Sequence, residues 1–354
     1  MTYLDANATE PLRPEAREAW AAVLDVVGNP SSVHAAGRAA RRWLEEARER
    51  IAARFGVTTA GVVFTSGGTE ADALAIHALG QGRQVVVGAT EHDAVRAAAP
   101  GAALLPVDRD GVVLFKTLPA LLARGPALVC LMLANNETGT LQPVSEAAAL
   151  CRAAGALLHV DAVQAAGRLP VSLPALGAHS VAISSHKLGG PTGAGALLLA
   201  DGVEIAPLMR GGGQERGRRG GTPALAAIAG FAAAAEAAPA KHLGALRDRL
   251  EAAAVAMGAV VLGGPVRLAN TSCLALPGLA AESQVIALDL AGVQVSAGAA
   301  CSSGKVARSH VLEAMGVGPL AGEAIRVSLP WNASEAGVDA FLAAYARLTR
   351  RAAA

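Results

Sequence analysis

Seven short apolar runs fall between residues 61 and 200: GVVFTSG, QVVVGAT, ALLPVD, ALVCLMLANN, ALLHVD, SVAISS and GALLLA. Each has the length of a strand and ends in polar or glycine-rich positions. Between them TEADALAIHAL, EHDAVRAAA, FKTLPALLARG and PVSEAAALCRAAG carry a helical period, and an alanine-rich helical segment follows at 223–238. Strands that are apolar on both faces, alternating with helices, predict an α/β fold with a largely parallel sheet covered by helices. Ligands of such sheets lie beyond the carboxyl ends of the strands, so the polar residues just after each run are the first candidates for chemistry.

The pattern changes after Pro239. A helix near KHLGALRDRLEAAAVAMG leads into NTSCLALPG. Then come a helix at AESQVIALDLAG, a Gly/Ser/Ala loop around Cys301, a strand-like AIRVSLP and a closing helix. This predicts a smaller α+β unit to which the first dozen residues return. The expected division is a large domain over 15–243 and a small one built from 1–14 and 244–354.

Composition narrows the class. Of 354 residues, 53% are apolar and 17% charged, which suits a globular protein with an ample core. The net charge of +1 is dispersed, so neither a nucleic-acid footprint nor a polybasic membrane patch is expected. RGGGQERGRRGG is the one Arg-rich stretch, and it includes a glutamate. The start, MTYLDANATE, carries no basic n-region and no apolar h-region, and the longest apolar runs are shorter than a membrane span. Cys130, Cys151, Cys273 and Cys301 form no CxxC, so neither a disulfide framework nor a zinc site is expected, and the setting reads as a reducing cytoplasm.

Lysine is scarce: Lys116, Lys187, Lys241 and Lys305 are the only ones among 30 basic residues. Lys187 follows a strand-like run within SSHKLGG, next to glycines that allow close backbone approach. Only Lys, not Arg, can lose its proton and act as an amine nucleophile. A surface lysine in a loop is the alternative.

FTSGGTEAD places Ser66, Gly67, Gly68 and Thr69 between strand and helix, which suits either a phosphate cradle or a plain helix cap. It matches no nucleotide-binding pattern. Asp161 ends ALLHVD, where a carboxylate either pairs with a cationic ring nitrogen or metal, or caps a helix. Phosphate cradle, strand-end Asp and Lys at one sheet edge are together the three anchors of pyridoxal phosphate. His92 and Asn136 follow two other strands and are further candidates. Cys130, Cys151 and Cys273 sit in apolar patterns and read as buried, whereas Cys301 lies among Ala, Gly and Ser with Lys305 nearby, which suits an accessible, partly ionised thiol; an incidental free thiol is the alternative.

The motifs LDANATEP, GNPSSVH, FTSGGTEAD, ATEHDAV, NNETG, HVDAVQ, SSHK, GGGQERGRRGGT, GAACSSG and IRVSLP occur in one order along nearly the whole chain. In this order the chain resembles the cysteine desulfurases, the NifS/IscS-like branch of class V pyridoxal-phosphate aminotransferases. The resemblance implies the type I pyridoxal-phosphate fold, with a mainly parallel seven-stranded sheet, and a homodimer with active sites near its interface. It implies that Lys187 binds the cofactor as an imine and that Asp161 pairs with its ring nitrogen. His92 would stack on the ring, and Asn136 and Gln164 would contact its phenolic oxygen. Gly68, Thr69, Ser184 and His186 would hold the phosphate, with Thr222 supplied by the partner subunit. Arg326 would bind the substrate carboxylate, with Asn136 beside it. Cys301 would accept sulfur from L-cysteine as a persulfide and pass it to an acceptor protein or scaffold. No metal is implied. Ala6 and Pro223 depart from the family pattern without removing a proposed catalytic group. The rival readings are a selenocysteine lyase or an aminotransferase of the same class.

Overall fold

The computed structural model describes residues 1–237, 243–298 and 308–352. The chain opens with β1 (Thr2–Tyr3), α1 (Pro14–Leu24) and α2 (Ala35–Phe55). Alternation follows through β2 (Val62–Thr65), α3 (Gly68–Leu79), β3 (Gln84–Gly88), α4 (Asp93–Ala98), β4 (Ala103–Leu105) and α5 (Leu118–Leu122). It continues with β5 (Ala127–Met132), α6 (Val144–Ala153), β6 (Leu157–Asp161), α7 (Leu173–Leu176), β7 (Ser180–Ser184), β8 (Gly195–Leu199) and α8 (Leu225–Ala237). The remainder holds α9 (Gly244–Ala256), β9 (Val260–Leu262), β10 (Thr271–Ala275), α10 (Ala281–Leu290), β11 (Val293–Gln294) and β12 (Ser296–Ala297). It closes with α11 (His310–Ala314), β13 (Ala324–Ser328) and α12 (Glu335–Ala352).

All seven apolar runs become strands of one sheet, in the order β2-β8-β7-β6-β5-β3-β4. β8 alone runs against its neighbours; the other pairings are parallel. The runs are apolar throughout because both faces are covered. Val129 and Leu131 of β5 join one core while Leu128 and Cys130 join the other, the two-residue period of a strand expressed as two layers. α3 seals one face over β6, β7 and β8, and α8 packs against α1 and α2 on the other.

Two helices lie outside the strand–helix pattern that begins at residue 61. In α2 the buried stripe is Ala40, Leu44, Ala47, Ile51 and Phe55, at helical spacing. Two of those five are alanines set among Arg and Glu, so the apolar contrast is weak. The expected helix over 115–125 is also broken. A 3-10 turn at Phe115–Thr117 precedes α5, where Pro119 sits in the first turn and needs no amide partner.

A second, antiparallel sheet has the order β12-β13-β10-β9. Leu274, Ile325, Val327, Phe341 and Tyr345 form its core with α9, α10 and α12. The first residues pack beside it, with Leu4 in the same core. β1 pairs in parallel with β11, and the Ser328 amide donates to the Leu4 carbonyl at 2.8 Å.

Candidate active site

Strand ends converge on one place. Asp161 is the last residue of β6 and Ser184 the last of β7, and their parallel pairing sets these ends side by side. Lys187 closes the 3-10 turn that follows β7, and His92 caps α4 just beyond β3. These ends and the start of α3 frame a cavity of about 320 Å³. Gly68, Thr69, Ser184 and His186 line it at one side; Asn136, Asp161 and Gln164 line it elsewhere, along with His92, Lys187 and Arg326.

At the α3 end, Gly67 occupies the cap position and no side chain caps the helix. The alternative of a Ser66 or Thr69 cap is therefore not what forms. The first amides of α3 are left open toward the cavity end, where a helix favours an anion. A Cβ at Gly68 would lie 2.6 Å from Val163 Cγ2, so a larger residue there would force Val163 to move. The Ser184 hydroxyl is buried without a hydrogen-bond partner among the described residues. His186 is held near 4, below its ordinary value, chiefly by burial and then by Lys187 and Arg168, so its ring is neutral at physiological pH. Its Nδ1 lies 3.1 Å from Thr9 Oγ1.

Deeper in, the buried Asp161 carboxylate accepts the Val163 amide at 2.8 Å, a local cap. Burial, reinforced by Asp72, pushes the Asp161 pKa up to about 7. His92 Nδ1 accepts the Ala94 amide at 3.1 Å, which leaves Nε2 as the protonated nitrogen of the neutral ring.

Lys187 Nζ donates to the carbonyls of Asn7, at 2.5 Å, and Ala8, at 3.0 Å. Two residues on, Gly189 adopts φ +85°, where a Cβ would lie 2.7 Å from Arg13 Cγ, so the turn carrying the lysine requires glycine. The Arg326 guanidinium donates to Asp5 Oδ1 at 2.7 Å and to the Asn136 carbonyl at 3.2 Å. Gln164 donates to the Asn7 carbonyl and accepts from Arg168. Thr222 is exposed and does not line this cavity. Cys301 and Lys305 lie outside the described residues. The other three cysteines are buried, and burial pushes the Cys130, Cys151 and Cys273 thiols up.

Several residues with no role in the sequence reading stand at the site. Asn7, from the motif LDANATEP, ties its side chain to the Asn136 carbonyl and to Thr271 while its own carbonyl receives Lys187. Asp72, on α3, lines the cavity and meets His159 of β6 at 3.0 Å. The spacing FTSGGTEAD shows Asp72 only as a polar position one turn into a helix, and nothing local announces its partner 87 residues away. Among the described residues no cluster of potential metal ligands occurs, and no helix is long and apolar enough to cross a membrane.

The model of the class-V aminotransferases matches residues 2–341. The chain belongs to that family. An IscS-like cysteine desulfurase of Mycobacterium tuberculosis is 41% identical, over 97% of this chain and 94% of its own length. A cysteine desulfurase of Cereibacter sphaeroides is 44% identical, over 96% and 93%. Among solved structures, a NifS-like protein from Rickettsia africae superposes with a TM-score of 0.92 at 33% identity, covering 98% of this chain and 99% of that one. SspA in complex with cysteine superposes at 0.83 and 26% identity, covering 93% and 99%. The class-V aminotransferases and their cysteine desulfurases are pyridoxal-phosphate enzymes, and the mainly parallel seven-stranded sheet with its helices is the fold of the NifS-like structures.

Proposed function

We propose that this class-V family member is a pyridoxal-phosphate-dependent cysteine desulfurase. It converts L-cysteine to L-alanine and keeps the sulfur as a persulfide on Cys301. One observation carries the reading: Lys187, Asp161, His92 and the unpartnered Ser184 hydroxyl line a single cavity at the uncapped start of α3. These residues fit the cofactor. Open amides and an unsatisfied hydroxyl suit a phosphate, and a buried carboxylate with a raised pKa suits a ring cation.

When bound, pyridoxal phosphate supplies an electron sink for the pair left at the substrate's α-carbon. Gly68, Thr69, Ser184 and His186 would hold the phosphate, and Asp161 would pair with the ring nitrogen. His92 would stack on the ring; Asn136 and Gln164 would address its phenolic oxygen. Lys187 would anchor the cofactor's reactive carbon until the substrate amine takes its place, and the freed Nζ would then take the substrate's α-proton. Arg326, already braced by Asp5, orients the substrate carboxylate beside Asn136. The Cys301 thiolate then attacks the substrate sulfur. An S–S bond forms as the carbon–sulfur bond breaks, and the electron pair of that bond stays with the carbon skeleton, which takes up a proton and leaves as alanine.

The same reading makes residues 15–243 a cofactor-binding domain, with 1–14 and 244–354 as a smaller domain carrying Cys301. The exposure of Thr222 suits a residue that serves a partner subunit's site in a cytoplasmic homodimer. The persulfide sulfur passes to an acceptor protein or scaffold.

The deciding assay measures sulfide and alanine from L-cysteine with a thiol reductant, wild type beside Cys301→Ala. Equal amounts of both products are expected from wild type. The variant should release no sulfide while its cofactor spectrum still responds to cysteine. A wild-type protein that holds cofactor yet releases no sulfide would overturn the reading in favour of selenocysteine or amino-donor chemistry.

A further inference from the structure

Below the cavity lies a buried chain of polar side chains that the proposed reaction does not use. His159 is fully buried between two partners: its Nδ1 lies 2.8 Å from Ser180 Oγ and its Nε2 lies 3.0 Å from Asp72 Oδ1. Asp72 is 1% exposed. Asp161 stands two residues beyond His159 on β6, so the two side chains leave the strand on the same face. Asp72 and Asp161 both line the cavity; His159 does not.

Asp72 and His159 share one proton across their hydrogen bond, and its location decides the charge the cavity feels. An ion pair would put a carboxylate at Asp72 beside that of Asp161, with the compensating imidazolium set farther back toward Ser180. Two buried carboxylates facing one cavity repel. The neutral arrangement avoids this. We propose that Asp72 is a positioning residue held as a neutral carboxylic acid, donating its O–H to His159 Nε2, so that Asp161 alone presents a negative charge to the cofactor ring. His159 then donates Nδ1–H to Ser180.

The other titratable groups around Asp72 leave this arrangement in place. Glu91 and Cys130 are fully buried and pushed toward their neutral forms; His92 pulls Asp72 the other way, and the burial of Asp72 outweighs it. Burial raises Asp72 to about 8 and lowers His159 to about 4, the direction the geometry requires.

The role toward the cofactor rests on the pyridoxal-phosphate reading, but the protonation state does not, so the first measurement is made without cofactor. Infrared difference spectra of the cofactor-free protein at pH 6, wild type minus Asp72→Asn, should show loss of a neutral carboxylic-acid carbonyl stretch. Loss of a carboxylate band instead would overturn the proposal, whatever the enzyme's activity. The second measurement is cofactor affinity and the pH midpoint of the bound cofactor's absorption band. Asn keeps a neutral donor to Nε2, so Asp72→Asn should leave both close to wild type. Asp72→Ala leaves Nε2 unsatisfied and should weaken cofactor binding about tenfold. An Asn variant as impaired as the Ala variant would also overturn it, because a merely neutral donor would then not suffice.

Discussion

The Ser184 hydroxyl is buried and bonds to none of the described residues, an arrangement that costs about 1–3 kcal/mol of desolvation unless a ligand offsets it. That gives Ser184→Ala a two-part signature. Without cofactor the variant should be as stable as wild type or slightly more so, since no protein hydrogen bond is lost. With pyridoxal phosphate, a charge-assisted bond to a phosphate oxygen is lost, and affinity should fall about tenfold to a hundredfold. Thermal melts of the cofactor-free protein and a cofactor titration test both halves. A variant that is destabilised without cofactor and binds it normally would mean that Ser184 serves the fold and not the phosphate.

At the scale of elements, the loop GGGQERGRRGG does structural work that its composition hides. Glu215 and Arg216 adopt φ +50° and +58°, an unfavourable region for residues with side chains. What holds Glu215 there is its carboxylate, which receives Arg48 Nη1 and Nη2 and the Phe64 amide, each at 2.8 Å. Arg48 in turn reaches the Val62 carbonyl at 2.9 Å. β2 is an edge strand, and this pair from α2 and the loop satisfies its outward backbone groups. Glu215→Gln leaves a buried Arg48 short of its main counter-ion, with only the more exposed Glu45 beside it, and should cost about 3 kcal/mol of stability. Urea denaturation measures it; a loss below about 1 kcal/mol would show that the pair is dispensable.

None of this was visible in the chain, because Arg48 and Glu215 are 167 residues apart and each reads locally as a surface charge. The strands were legible for the opposite reason: each is a continuous apolar run with a polar or glycine terminus, and a parallel sheet turns those termini into one site. Lys187, Asp161 and His92 could be placed at one edge on that ground alone. The stripe of α2 is half hidden by alanine, and Asn7 contributes a carbonyl to Lys187, a backbone role that no side-chain pattern signals.

For the whole molecule, the buried acids make stability depend on pH in a direction opposite to that of ordinary ion-paired carboxylates. Burial raises Asp161 and Glu137 to about 7 and Asp72 to about 8, and pushes Glu91 well above the usual range. Folded, these groups keep their protons where the unfolded chain has released them. Their contribution is complete below the ordinary carboxylate range and drains away as pH rises through 7 and 8. The buried histidines oppose this only on the acid side. His159 and His186 are lowered to about 4, and His179 and His310 are lowered as well, so all four cost stability as the pH falls below their ordinary value of 6.5. The window from pH 6.5 to 8.5 therefore belongs to the acids, at up to about 1.4 kcal/mol per pH unit for each proton retained. Cofactor-free protein should melt several degrees lower at pH 8.5 than at pH 6.5. A ring cation facing Asp161 draws its pKa down and removes its share of the loss, so the cofactor should raise the melting temperature more at pH 8.5 than at 6.5. Asp161→Asn, which has no proton to give up, should shrink the pH dependence of the cofactor-free protein and abolish that extra gain. Equal cofactor stabilisation at both pH values in wild type would mean that Asp161 does not face a charged ring.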